Sequence, residues 1–102
     1  MLKLLWSIEM NEDTREIILI LSEECAEVAK EVSKIMRFGP DQIKPGKNKT
    51  NIAVLEEELG DLLAMIELLV DKDIGVTNEG LELAKKAKFE KLKKWSNIII
   101  NK

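Results

Sequence analysis

The chain has 102 residues, 45% of them hydrophobic and 34% charged, which describes one domain with a small core and too much charge for a membrane span. The absence of histidine removes Ser-His-Asp and Cys-His nucleophile systems, His-ligated zinc and haem, and imidazole acid-base chemistry together, so any catalysis runs on carboxylates, lysines or metals. A net charge of -3 argues against a general nucleic-acid binder, and the lone Cys25 excludes a disulfide framework and fits a reducing compartment.

The N-terminal stretch MLKLLWSIEM has only Leu4, Leu5 and Trp6 as an unbroken apolar run, too short for the apolar region of a secretory signal, so a cytoplasmic protein is expected. From Asn11 to Phe38 nothing breaks a helix, apolar residues recur three and four apart, and Asn11, Asp13 or Thr14 can cap the start. Gly39-Pro40 ends that helix, and GPDQIKPGKNKTN reads as a loop. A second helix is predicted from Ile52 to about Lys72, with Gly75 as its stop. Thr77 or Asn78 can cap a third, from about Glu79 to Trp95, and Ile98 to Ile100 form an apolar tail that needs something to lie against. No segment alternates with the period of a strand. The fold class expected is all-α: long antiparallel helices forming a four-helix-bundle-like core that a homodimer or homotetramer completes, because so small a unit cannot cover its own apolar faces.

Charge is unevenly placed. Residues 9 to 31 hold eight acids against Arg15 and Lys30, and residues 85 to 94 hold six lysines against Glu90. On a helical wheel, Ile17, Ile20, Leu21, Val28 and Ile35 fall within about 60° of Glu24, and Glu27 and Glu31 fall there too. An ordinary amphipathic helix puts carboxylates on the opposite face, where Ser22, Ala26, Lys30 and Ser33 lie. The second helix repeats the anomaly: Val54, Leu55, Leu62, Met65 and Leu69 share the face of Glu58 and Asp61, while Glu56 and Glu67 lie on the far side. Packed antiparallel, the two helices bring together Glu24, Glu27, Glu58 and Asp61. Ionised carboxylates buried without partners are strongly unfavourable, so the cluster calls for cations. An all-oxygen donor set suits a hard ion, Mg²⁺ or Mn²⁺, while a carboxylate di-iron site of the Glu-x-x-His kind lacks its histidines.

The third helix carries an answering charge, with Lys85 and Lys88 on the stripe of Leu81, Ala84, Leu92 and Trp95. They can pair with the acids or hold the phosphates of a substrate.

Glu23-Glu24-Cys25-Ala26-Glu27 is E-E-x-x-E and Glu58-Leu59-Gly60-Asp61 is E-x-x-D, both on helices. With the loop RFGPDQIKPGKNKTN and the helix LEEELGDLLAMIELL, the chain resembles the MazG-like all-α nucleoside triphosphate pyrophosphohydrolases, closest to the small phage-encoded branch. The resemblance covers roughly Ile17 to Leu69 and extends weakly into the third helix, and the whole chain, 1–102, is expected to be a single such domain.

The resemblance implies an Mg²⁺-dependent hydrolase, with Mn²⁺ as the other candidate, that cleaves a (deoxy)nucleoside triphosphate between its α and β phosphates. By motif position, Glu24, Glu27, Glu58 and Asp61 would be metal ligands, and either Glu23 or Glu24 the catalytic base, with Lys85 or Lys88 steadying the leaving pyrophosphate. Thirty residues separate Glu27 from Glu58, a longer spacing than is common in the wider family, and the loop absorbs the difference. Glu31 has no counterpart in the motif and can pair with Lys34 or Lys30, while Phe38, Asn51 and Trp6 are candidates to line a base pocket. Gly60, mid-helix, implies close approach of another helix or chain on its side. The rival reading is a non-enzymatic helical dimer that binds an acidic partner or nucleic acid through its lysine-rich third helix.

Overall fold

The computed structural model describes residues 10–102, and each of its helices begins where a short polar side chain meets a free backbone N–H. Helix α1 (Glu12–Phe38) is capped by Asn11, whose side chain accepts from the Thr14 N–H at 2.8 Å. Glu12 and Asp13 in its first turn and Arg37 in its last complement the helix dipole. At about 1.5 Å per residue it is ~40 Å long. It stops at Gly39, which takes φ +90°, a conformation side-chain-bearing residues rarely adopt, and donates its N–H to Ile35 O at 2.8 Å.

The connection that follows is braced rather than slack. Ile43 and Thr50 form an isolated antiparallel bridge, the Lys47 N–H donates to Lys44 O at 3.0 Å, and Gly46 takes φ +84° in the turn between them. Helix α2 (Asn51–Asp71) starts at the N-cap Thr50, which accepts from the Ala53 N–H at 3.2 Å. The helix ends at Lys72, and the left-handed residue beyond it is Asp73, at φ +55°. Gly75, the stop expected from the sequence, lies further along, at φ +114°. A short polar side chain tolerates the left-handed region, so the helix breaks two residues before the glycine.

These ends show that α1 and α2 run antiparallel. The Ile52 N–H donates to Pro40 O at 3.0 Å where α2 begins, and Lys72 Nζ lies 3.6 Å from an Asp13 carboxylate oxygen where it finishes. Ile17, Val54 and Leu69 are the buried apolar residues of the core, and no large side chain among the described residues is fully buried. Ile20, Leu21, Val28 and Ile35 of α1 and Leu55, Leu62 and Met65 of α2 are half-buried, the faces the helical wheel assigns inward. Large apolar side chains remain outside, among them Leu19, Met36, Leu59 and Leu63.

The chain divides after Lys72, and residues 73–102 form a second unit. Helix α3 (Asn78–Trp95) is capped by Thr77, which accepts from the Gly80 N–H at 3.0 Å, and closes on Ser96, whose hydroxyl and N–H both donate to Leu92 O. It contains no buried residue, and Trp95 is 78% exposed. Of the stripe expected on this helix, Leu81, Ala84 and Trp95 are exposed and Leu92 is half-buried. Ile98 and Ile99 of the tail are also exposed. The described residues are all-α, without a strand, and none of their helices is long and apolar enough to cross a membrane.

Candidate metal centre

Glu24 lies on the inward side of α1, and Glu58 and Asp61, one turn apart on α2, face it. One carboxylate oxygen from each of the three comes within 4.8 Å of the others. Glu24 and Glu58 are half-buried and Asp61 is exposed, so the cluster opens to water on one side. Burial raises the pKa of Glu58 above the usual carboxylate range, and the charges of Asp61, Glu24, Glu27 and Glu31 add to the shift in that order.

The cluster fits a hard divalent cation on an observation independent of the motif. Glu24 Oε2 is buried and has no hydrogen-bond partner, a condition that costs free energy unless a cation or water satisfies it. The donors are all carboxylate oxygens, the chemistry that Mg²⁺ and Mn²⁺ prefer.

The remaining expected residues distribute unevenly. Glu27 is exposed and bears on Glu58 electrostatically, but its oxygens are not among those that meet within 4.8 Å. Glu23 is exposed beside the cluster on α1. Lys85 and Lys88 are exposed on α3. Lys85 pairs with Glu82 at 2.7 Å and holds that carboxyl below its usual range, first by a hydrogen bond and then by charge. Lys88 makes no ion pair among the described residues.

Glu31 is more deeply placed than any of these acids. It is 5% exposed and pairs with Lys34 at 3.2 Å, which realises the ion-pair reading of that residue. Its spacing of seven from Glu24 was the signal for its burial. Asn51 is buried, and its amide donates to Gly39 O at 3.0 Å and to Gln42 Oε1 at 3.3 Å, so it braces the loop. Phe38 is half exposed, with the Arg37 guanidinium 4.8 Å from its ring centroid, and Trp6 lies outside the described residues.

No curated protein and no solved structure matches the chain. Residues 12–94 match the MazG nucleotide pyrophosphohydrolase domain, a span that takes in α1, α2, all of α3 but its last residue, and every acid of the cluster. The chain belongs to the MazG family.

Proposed function

We propose that the protein is a divalent-metal-dependent nucleoside triphosphate pyrophosphohydrolase that cleaves (d)NTPs to (d)NMPs and pyrophosphate as part of cytoplasmic nucleotide-pool housekeeping. The observation that carries the reading is the meeting of Glu24, Glu58 and Asp61 around a buried, unpartnered Glu24 oxygen, in a chain whose family is that of nucleotide pyrophosphohydrolases. That the family match spans both units supports reading the chain as one functional domain.

In this reading Glu24, Glu58 and Asp61 hold Mg²⁺ or Mn²⁺, and Glu27, one turn from Glu24, joins them by a change of side-chain rotamer. Bound there, the cation neutralises phosphate charge and supplies Lewis acidity. A water oxygen forms the new bond to the α phosphorus, and the bond to the oxygen bridging to the β phosphorus breaks. Glu23 or Glu24 takes the proton from that water. Lys85 and Lys88 are proposed contacts to the phosphates, with Lys88 free of a competing ion pair among the described residues.

A second copy completes the bundle. Ile52, Ala53, Leu55, Leu59, Gly60 and Leu63 line a groove of about 640 Å³ on α2. Among the described residues, and apart from Gly60's own helix backbone and neighbours, no atom lies within 4 Å of where its side chain would stand. No described element makes the close approach that Gly60 implies, and the exposure of Leu59 and Leu63 on that face supports a second copy there.

The test is phosphate NMR of a panel of NTPs and dNTPs with the purified protein, titrating Mg²⁺ from none upward. Metal-dependent appearance of a monophosphate and pyrophosphate is expected. No turnover of any nucleotide at any metal level overturns the reading.

A further inference from the structure

Residues 85–102 carry seven lysines against the single acid Glu90, in a chain whose net charge is -3. Two of those lysines are neutralised locally, Lys85 by Glu82 and Lys93 by Glu90, whereas Lys91 and Lys94 make no ion pair among the described residues. Lys91 stands one turn before Trp95 on its side of α3, and the Lys94 amine lies 5.2 Å from the centroid of the Trp95 ring.

The chain beyond the helix is folded, not trailing. The Ser96 N–H and hydroxyl donate to Leu92 O at 2.9 and 2.8 Å, and the same hydroxyl oxygen accepts from the Ile98 N–H at 3.2 Å. Seven residues past Trp95, the Lys102 amine lies 5.4 Å from the centroid of the Phe89 ring. Phe89 stands about 9 Å back along the helix axis from Trp95, out of reach of a segment that continued outward at ~3.3 Å per residue, so residues 97–102 turn back along α3. Ile98 and Ile99 lie within that reversal and are not covered by it. They are 59% and 86% exposed, and Trp95 is 78% exposed.

Large apolar side chains held in water at a fixed turn, with unpaired lysines next to them, match the chemistry of an anionic lipid surface. Isoleucines enter the acyl boundary, a tryptophan ring rests at headgroup depth, and lysine stems lie along apolar surface with their amines at the lipid phosphates. Nucleic acid fits less well. Its phosphates would satisfy the lysines but leave the isoleucines in water, and lysine amines already sit over Phe89 and Trp95, the rings on which bases would stack.

We propose that the end of α3, formed by Trp95, Ile98 and Ile99 with Lys91 and Lys94 beside them, docks the protein on the surface of a membrane that contains anionic phospholipid. The chain lies on the bilayer by this contact and does not cross it. The inference is independent of the pyrophosphohydrolase reading.

The test is flotation of the purified protein with vesicles of phosphatidylcholine alone and of phosphatidylcholine mixed with phosphatidylserine, at low and high salt, with tryptophan emission recorded on the same samples. The wild type is compared with Ile98→Asp/Ile99→Asp, Lys91→Gln/Lys94→Gln, Trp95→Phe and the control Leu83→Asp, which alters a 69% exposed apolar side chain earlier on the same helix. Circular dichroism reads the helix content of each protein and sedimentation its size.

The wild type is expected to float with the anionic vesicles and not with phosphatidylcholine alone, less so at high salt, and its emission should shift to the blue. The isoleucine variant should lose at least tenfold in partitioning. The lysine variant should lose about tenfold or more, one lysine near an anionic surface contributing roughly fivefold. Leu83→Asp should float as the wild type does, and Trp95→Phe should lose the emission shift although Trp6 remains. Absence of wild-type flotation, or a blue shift that survives in Trp95→Phe, overturns the proposal. Flotation that ignores the isoleucine pair and is abolished by a single-stranded oligonucleotide overturns it in favour of a nucleic-acid face. An isoleucine variant that sediments as a smaller species than the wild type overturns it in favour of an interface between copies.

Discussion

Glu24 on α1 and Glu58 on α2 present carboxylate oxygens within 4.8 Å of one another across the hairpin. Both residues sit on the stripes that also carry Ile17, Val54 and Leu69, the buried residues joining the two helices. The apolar packing that stabilises the hairpin therefore forces the acids together, and metal-free folding works against their repulsion. Apolar packing and charge repulsion are opposed at this point of the molecule, which makes several outcomes measurable.

Glu58→Gln removes one charge from the cluster while keeping the shape of the side chain. The raised pKa of Glu58 means that the folded chain binds this proton more tightly than the unfolded chain does. The contribution of Glu58 to stability is thus fully present below the ordinary carboxylate pKa and is lost as pH rises through the raised one. Metal-free melting curves of the wild type and Glu58→Gln should coincide at acidic pH and separate as pH rises, with the variant the more stable. A gap that stays constant with pH would show that Glu58 is not the titrating group.

Mg²⁺ should reverse that order. A cation that binds only the folded state adds stability by mass action, about 2.7 kcal/mol at one hundred times its dissociation constant. The wild type should rise in melting temperature with Mg²⁺ at neutral pH and Glu58→Gln much less, and the variant should lose roughly a hundredfold or more in turnover. Equal thermal responses in the two proteins would place the cation elsewhere.

The sequence carried the helices and the inward acids because both depend on residue periodicity: Glu24, Glu31 and Glu58 recur in phase with Ile17, Val28 and Val54, and that phase survives folding. What it did not carry is set by tertiary contact. The loop folds back on its own Ile43–Thr50 bridge and is braced by the Asn51 amide on Gly39 and Gln42, and no spacing along the chain encodes those approaches. The third helix was legible as an element, from Thr77 to Trp95, while the apolar positions Leu81, Ala84, Leu92 and Trp95 that share helical spacing on it are not buried. The end of α2 near Lys72 was legible, but the first left-handed residue after it is Asp73 and not Gly75, because a left-handed residue need not be glycine.

Lys34→Met should destabilise the fold more than its surface position suggests. Its partner Glu31 is 5% exposed, and a buried carboxylate left without its donor costs about 1–3 kcal/mol. Adding Glu31→Gln to the same chain removes the orphaned charge and should restore much of the loss. Urea denaturation of the two single variants and the double variant checks this, and a double variant as unstable as the sum of the singles would show that the pair does not act as a unit.

Asn51→Ala tests the loop brace against the base-pocket reading of that residue. Two hydrogen bonds vanish, leaving Gly39 O and Gln42 Oε1 without this donor, at a cost of about 1–2 kcal/mol. The ranking of nucleotides by base should be unaltered while the melting temperature falls. A changed base preference at unchanged stability would return Asn51 to the substrate.

Gly60 separates a free helix face from an interface by the sign of its effect. In an isolated helix, replacing an interior glycine with a better helix former stabilises by ~1 kcal/mol, and among the described residues no atom outside Gly60's own helix and neighbours lies within 4 Å of where the new side chain would stand. If α2 packs against a second copy along the groove of Ile52, Ala53, Leu59 and Leu63, the same substitution fills the space that the partner helix needs. Gly60→Leu is therefore expected to retain or gain helix content while sedimenting as a smaller species than the wild type. A variant that sediments with the wild type and melts higher would show that this face stays open to water, and the assembly would have to be sought on the exposed side of α1, where Leu19 and Met36 lie.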